Sequence, residues 1–385
     1  MVTSPRPPTL AELRRHAIAR SLFTPTTLRR ALTKLVFVQA DPIRAPARAQ
    51  DLTLRHRVAD YRAGDLERRY PRLPIEEDFF VNHGFLGREH QALMHPRAAR
   101  TVWPAARRRQ ADAVLDFVRE RGAVHPREVA AYFGHGKTTN WFGGSSNAST
   151  QLLDGMHYRG MLRVARRDAG VRVYAVREPW PDPPAAEHGQ ARLDALFDLA
   201  VRTYAPLPGA TLGHLASALC LFATPQWRAD RKRLLEHARR RLARARVDGV
   251  DWYWPADEDP RSARHAPHEG VRLLAPFDPI VWDRRRFEAF WGWAYRFEAY
   301  TPAPRRERGY YALPLLWDER VIGWGNAGVR DGRLAVELGF VSQRPRSRAF
   351  TRALDAEIGR LEAFLGVSMG GLVRPTRPRS TRPST

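Results

Sequence analysis

The stretch from Arg109 to Val176 carries a pattern that few folds satisfy: three helical runs followed by a hairpin. ADAVLDFVRERG places apolar residues at spacings of three and four and stops at Gly122. His125-Pro126 opens a short second helix, REVAAYFG, and a loop, HGKTTNWFGG, follows. Ser145, Ser146 or Asn147 can cap a third helix, NASTQLLDGMHYRG. Then MLRVARR and VRVYAV read as strands joined by Asp168-Ala169-Gly170, a hairpin signal. Three helices and a hairpin make the winged-helix order, with the third helix as candidate recognition helix and the hairpin as wing.

The cadence returns further along. ARLDALFDLAVRTYAP, TLGHLASAL and the very basic QWRADRKRLLEHARRRLARARV precede a short hairpin, VDGVDWYWP, and read as a second, degenerate winged helix. The fold class is therefore α+β: tandem winged-helix modules followed by a small antiparallel β-sheet or barrel domain. Boundaries fall at 1–105 (an N-terminal helical or winged-helix module), 106–180, 190–265, 270–372 (β-rich) and 373–385 (a disordered basic tail). The Pro-rich PWPDPPAAEHG links the two central modules. Near the N-terminus, LAELRRHAIARSLF and TPTTLRRALTKLVFV read as helices, and DLERRYPRLPIEEDFFVNHGF as a further helical stretch. From Val271 on, RLLAPFDPIVWD, YRFEAYTP, GYYALPLLWDERVIGWGNAGVR and GRLAVELGFV are β-rich, before a helix, SRAFTRALDAEIGRLEAFLG.

Charge names the class of partner. Lys and Arg number 64 against 41 Asp and Glu, a net charge of +23. Such a surplus favours a polyanion, because neutralising phosphates releases condensed counterions. The preference for Arg over Lys fits GC-rich coding, but coding bias does not create an excess of bases over acids. With winged-helix modules, the polyanion is expected to be double-stranded DNA. One cysteine, Cys220, excludes an internal disulfide and a Cys-based zinc site. No metal or other cofactor is expected. No apolar run approaches the roughly 20 residues needed to span a bilayer, so no membrane partner is expected. A cytoplasmic, nucleoid-associated monomer is the expectation, since no dimerising coiled coil is visible.

One polar pair stands out. Gln39 and Asp41 follow the apolar run Leu35-Val36-Phe37-Val38 and precede Pro42, which disfavours helix at the residue before it. The pair is expected at a helix exit. Helix ends also carry polar residues simply to satisfy backbone groups, and Asp before Pro is a common turn starter.

A resemblance bears on the choice. FVQADPIRAPARAQDLTLRHRV (Phe37–Val58) resembles the signature region of the winged-helix DNA glycosylases of the YcaQ and AlkZ type. The segment from Leu273 to Gly323, beginning LLAPFDPIVWDR and containing YTPAPRRERGYY, is similar to the family's C-terminal signature, LLSPFDxLIWDR…YTPxxKRxxGYY. The segment NWFGG resembles the family as well. Gln39-Ala40-Asp41 matches the Gln-x-Asp form of the catalytic motif. A Trp-Ala-His-Glu-Ala-like segment is replaced by Phe80-Val81-Asn82-His83-Gly84, in which only His83 corresponds.

The resemblance implies a DNA repair glycosylase acting on alkylated purines or interstrand crosslinks. Asp41 would then stabilise a cationic sugar and activate water, and Gln39 would position that water. His83 is a second candidate, although a His among Phe79, Phe80 and Phe85 equally suits a packed core. Arg44 and Arg48 face phosphates or solvent. Ser145, Asn147 and Gln151 on the third helix, and Arg166 and Arg167 at the wing, are candidate DNA contacts. The alternative is a non-enzymatic winged-helix transcription regulator.

Overall fold

The computed structural model describes residues 6–98, 101–134, 136–139, 145–178, 189–265 and 268–372. The NWFGG segment, most of the Pro-rich linker and the tail from 373 lie outside the described residues. The chain divides into two units, one of Met1–Thr26, Pro42–Ala63 and Pro260–Thr385, the other of Thr27–Asp41 and Gly64–Asp259. Residues 1–105 are thus shared between the two units.

The second unit contains one arrangement built twice. Helices Ala105–Arg121, Pro126–Phe133 and Ala148–Tyr158 lead into the hairpin Leu162–Asp168 and Val171–Val176. A two-residue strand, Ala123–Val124, adds to the outer side of the second hairpin strand. Helices Gly189–Tyr204, Gly209–Phe222 and Arg231–Arg241 then lead into Ala243–Val247 and Val250–Trp254, with Leu207–Pro208 pairing the second strand in the same way. Local chemistry explains the match. Gly122 ends the first helix at φ 76°, His125 forms a capping box with Glu128, and Asn147 caps the third helix through Ser149 and Thr150. Both hairpins turn through two residues at positive φ, Ala169-Gly170 and Asp248-Gly249, as the right-handed strand twist requires. Val114, Phe117, Val129, Leu152, Leu153 and Met156 fill the first core, and Leu196, Phe197, Leu212, Leu219, Leu234 and Trp252 the second.

The same unit opens with a three-stranded antiparallel sheet in the order Phe37–Gln39, His83–Gly87, Ile75–Phe79. Two expectations change here. The helix Leu28–Leu35 does not run on through Val38: Val36 leaves it at φ 64°, and Phe37–Gln39 is a strand. The stretch from Asp65 is α-helical only to Arg69, with a 3-10 turn over Tyr70–Arg72; Pro74 follows, and a hairpin replaces the helix.

In the first unit, five strands (Val271–Leu273, Leu313–Trp317, Arg320–Arg330, Arg333–Phe340 and Ser368–Leu372) pair in chain order. The pairs are antiparallel except the last, which is parallel because the helix Arg348–Leu365 carries the chain back. The sheet is thus mixed rather than wholly antiparallel. YRFEAYTP contributes no strand, and RLLAPFDPIVWD only Val271–Leu273, since Pro276 and Pro279 interrupt the ladder. Helices Leu10–Ser21 and Ala49–Leu54 belong to this unit. No described helix is long and apolar enough to cross a membrane.

Candidate active site

Gln39 ends the strand Phe37–Gln39, whose three residues are all buried, and Asp41 follows two residues later, also buried. The intervening peptide is held: the Ala40 N–H donates to the His83 carbonyl at 3.0 Å. Opposite Gln39 stands Gly84. A Cβ there would lie 2.4 Å from the Val38 carbonyl oxygen and 2.6 Å from the Phe37 ring, so only glycine admits this pairing. Val36, three residues upstream, sits at φ 64°, a costly conformation for a β-branched residue.

Strand alternation sorts the side chains by face. Gln39, Gly84 and Asp78 are in register across the sheet and share one face. Glu77, Phe79 and His83 share the other. The Gln39 side-chain oxygen is buried and accepts no hydrogen bond among the described residues. Buried polar atoms are nearly always partnered, so this oxygen is open to an incoming hydrogen-bond donor.

His83 therefore joins the pair through its backbone, not its ring. The imidazole Nε2 lies 2.8 Å from Arg172 Nη2 and 3.2 Å from Glu77 Oε1, on the face opposite Gln39. Glu77 is fully buried and accepts from Arg167 (2.5 and 2.8 Å) and Arg172 (2.6 Å). Burial pushes its pKa up, but Arg172, His83 and Arg167 outweigh burial and hold the carboxyl well below its ordinary value. On the Gln39 face, the buried Asp78 accepts from Gln91, His95 and Arg97 at 2.6–3.0 Å. Its pKa is raised by burial but held well below the ordinary value by Arg97 and His95. Glu76 is bound by Arg88 and Arg163. The run Glu76-Glu77-Asp78 thus anchors the sheet to the first repeat. Sequence reasoning missed it; the signal was three consecutive acids between Ile75 and Phe79 in a strongly basic chain.

The other candidates scatter. Arg44 is exposed; Arg48 is half-buried at the N-cap of Ala49–Leu54, and both belong to the first unit. No helix joins them, so they do not share a helix face. Ser145 lies in the strand Ser145–Asn147. Asn147 is exposed but occupied as a cap, and Gln151 is half-buried. The third helix turns Ser149, Leu152, Leu153, Met156 and His157 inward. On the hairpin Leu162–Val176, Arg166 pairs with Asp168 at 3.0 Å, half-exposed. Arg167 points inward to Glu77.

Two comparisons bear on this arrangement. The solved structure of the Streptomyces sahachiroi DNA glycosylase AlkZ superposes with a TM-score of 0.64, covering 96% of this chain and 100% of that one at 13% identity. A likeness at that identity reports the fold. The family model described as DNA glycosylase AlkZ-like matches residues 32–364, which include Gln39, Asp41 and the C-terminal signature. The chain belongs to the AlkZ-like DNA glycosylase family.

Proposed function

We propose that this glycosylase is monofunctional and hydrolyses the N-glycosidic bond of N7- or N3-alkylated purines, and unhooks interstrand crosslinks made through the same atoms. An alkylated purine already carries positive charge and leaves without a strong general acid. The burden falls on the sugar, which becomes oxocarbenium-like as the bond breaks. The Asp41 carboxylate stabilises that cation and takes the proton of the attacking water. The water oxygen bonds to C1′, and the electrons of the broken C1′–N bond leave with the base. Gln39 orients the water through its amide. No Schiff base is needed.

The observation that carries this reading is the buried, unpartnered Gln39 oxygen two residues from Asp41, on a strand pinned through Ala40 and His83. The winged-helix reading of the two repeats accounts for their order of helices and hairpin and supplies the duplex-binding scaffold. The test incubates the protein with DNA carrying N7-methylguanine or a nitrogen-mustard crosslink and scores alkali-sensitive abasic sites. Wild type is expected to release both, and Asp41→Asn neither, with duplex binding retained. Release by Asp41→Asn at the wild-type rate overturns the assignment.

A further inference from the structure

The two repeats present opposite third helices. Ala148–Tyr158 is mostly buried, and its single charged side chain, Asp154, is acidic and accepts from Arg172 and Tyr174. Arg231–Arg241 buries only Leu234 and Ala238. At 100° per residue, Lys232, Arg233, Glu236, Arg239 and Arg240 fall on the side away from those two. All five are exposed. Among the described residues, Lys232, Arg233, Arg239 and Arg240 form no ion pair. Arg241, at the flank, is taken up by Asp194 and Asp198.

A row of solvated charges is the ordinary explanation of such a face, and cations suit a helix C-terminus. That accounts for Arg239 and Arg240. It does not account for Lys232 and Arg233, which sit in the first turn, where the helix dipole disfavours cations and where Asp230 makes no side-chain cap. The basic character continues past the helix: on Ala243–Val247, Arg244 and Arg246 alternate outward and are exposed. Arg246 is 3.5 Å from Asp251, and Arg244 is unpaired among the described residues.

We propose that the second repeat holds the DNA duplex, through sequence-independent phosphate contacts from Lys232, Arg233, Arg239, Arg240 and Arg244, while the first repeat serves as internal scaffold. The identity of the polyanion rests on the glycosylase reading. Phosphate contacts fix register without reading bases, which suits an enzyme whose target is damage rather than sequence.

The test measures equilibrium binding of the full chain to an undamaged, fluorescently labelled duplex across a salt series. Lys232, Arg233, Arg239 and Arg240 are changed together to Ala. A control changes Arg344, Arg346, Arg348 and Arg352, exposed arginines of the other unit, removing the same charge. The patch variant is expected to lose at least about tenfold in affinity at roughly 100 mM salt, and its log–log salt slope to fall by about two to four. The control is expected to stay close to wild type. The half-variants Lys232→Ala/Arg233→Ala and Arg239→Ala/Arg240→Ala should each give part of the loss, with thermal unfolding unchanged. An unchanged slope in the patch variant, or an equal loss in the control, overturns the proposal. Because the probe carries no lesion, a chain inactive on alkylated DNA that still lost affinity on substitution would support the surface and remove only the glycosylase reading.

Discussion

Arg57 donates through both terminal nitrogens to both carboxylate oxygens of Asp278, at 2.8 and 2.9 Å, across 221 residues of sequence, and neither side chain reaches solvent. The remaining Arg57 donors go to the Ser21 and Thr53 carbonyls. Beside it, Arg55 bonds Glu357 and the Leu273 carbonyl, and His56 Nε2 lies 3.0 Å from that same carbonyl. LRHR and PFDP, two segments of the family signature, meet here. Part of that signature is a clasp in the first unit.

Removing one partner of such a pair leaves a buried charge uncompensated. Asp278→Leu is expected to cost about 3–5 kcal/mol. Adding Arg57→Met should recover a large part of it, because no lone charge then remains. Denaturant unfolding of both variants checks this; equal stability of the single and double variants would refute it.

Gln39 carries an opposite signature. Its buried oxygen lacks a partner, so Gln39→Leu should raise stability by about 1 kcal/mol. The same change is expected to slow base release on the order of tenfold or more. A variant less stable than wild type would mean that the amide is satisfied in the free protein.

Arg167 should behave as structure. Arg167→Ala removes charged hydrogen bonds to buried Glu77 and is expected to cost about 2 kcal/mol of unfolding free energy. The salt slope of duplex binding should not change. A slope lower by about one would instead return Arg167 to the phosphate-binding set.

Acid sensitivity follows from two buried histidines. Burial pushes His95 down to about 4, against the opposing pull of Asp78, and does the same to His157. Between pH 6.5 and 4 the unfolded chain takes up protons that the folded chain refuses, so stability falls as pH drops through that window. His157 Nε2 lies 2.9 Å from the Glu77 carbonyl, a bond that glutamine can keep. His157→Gln should therefore reduce the stability lost between pH 7 and 5 by about 2 kcal/mol. An identical pH profile in the variant would show that His157 titrates normally.

The parts legible in sequence were those whose signals are local. Helix periods, Gly122, the His125 and Asn147 caps and the two Gly-containing turns all lie within a few residues of what they specify. The strand Phe37–Gln39 is different. Its partner begins at His83, and the helix period through Leu35 gives no warning that Val36 will turn to positive φ. Glu76-Glu77-Asp78 could be buried only because arginines at 97, 163, 167 and 172 come to meet them. For the same reason Arg167 looked free. The Gln39–Asp41 pair was visible as residues, but its setting on a strand rather than at a helix exit was not.

The division of the chain also has a temporal side. The first unit takes its opening residues from Met1–Thr26 and Pro42–Ala63 and its remainder from beyond Pro260. On a ribosome adding roughly 5–20 residues per second, Arg55 and Arg57 wait many seconds before Asp278 and then Glu357 emerge. Until then the first unit lacks its five-stranded sheet, while the contiguous stretch 64–259 can already close its own cores. The nascent protein is thus expected to close its paired helix–hairpin repeats first and the unit that holds Leu10–Ser21 last, reversing the order in which their first residues are synthesised.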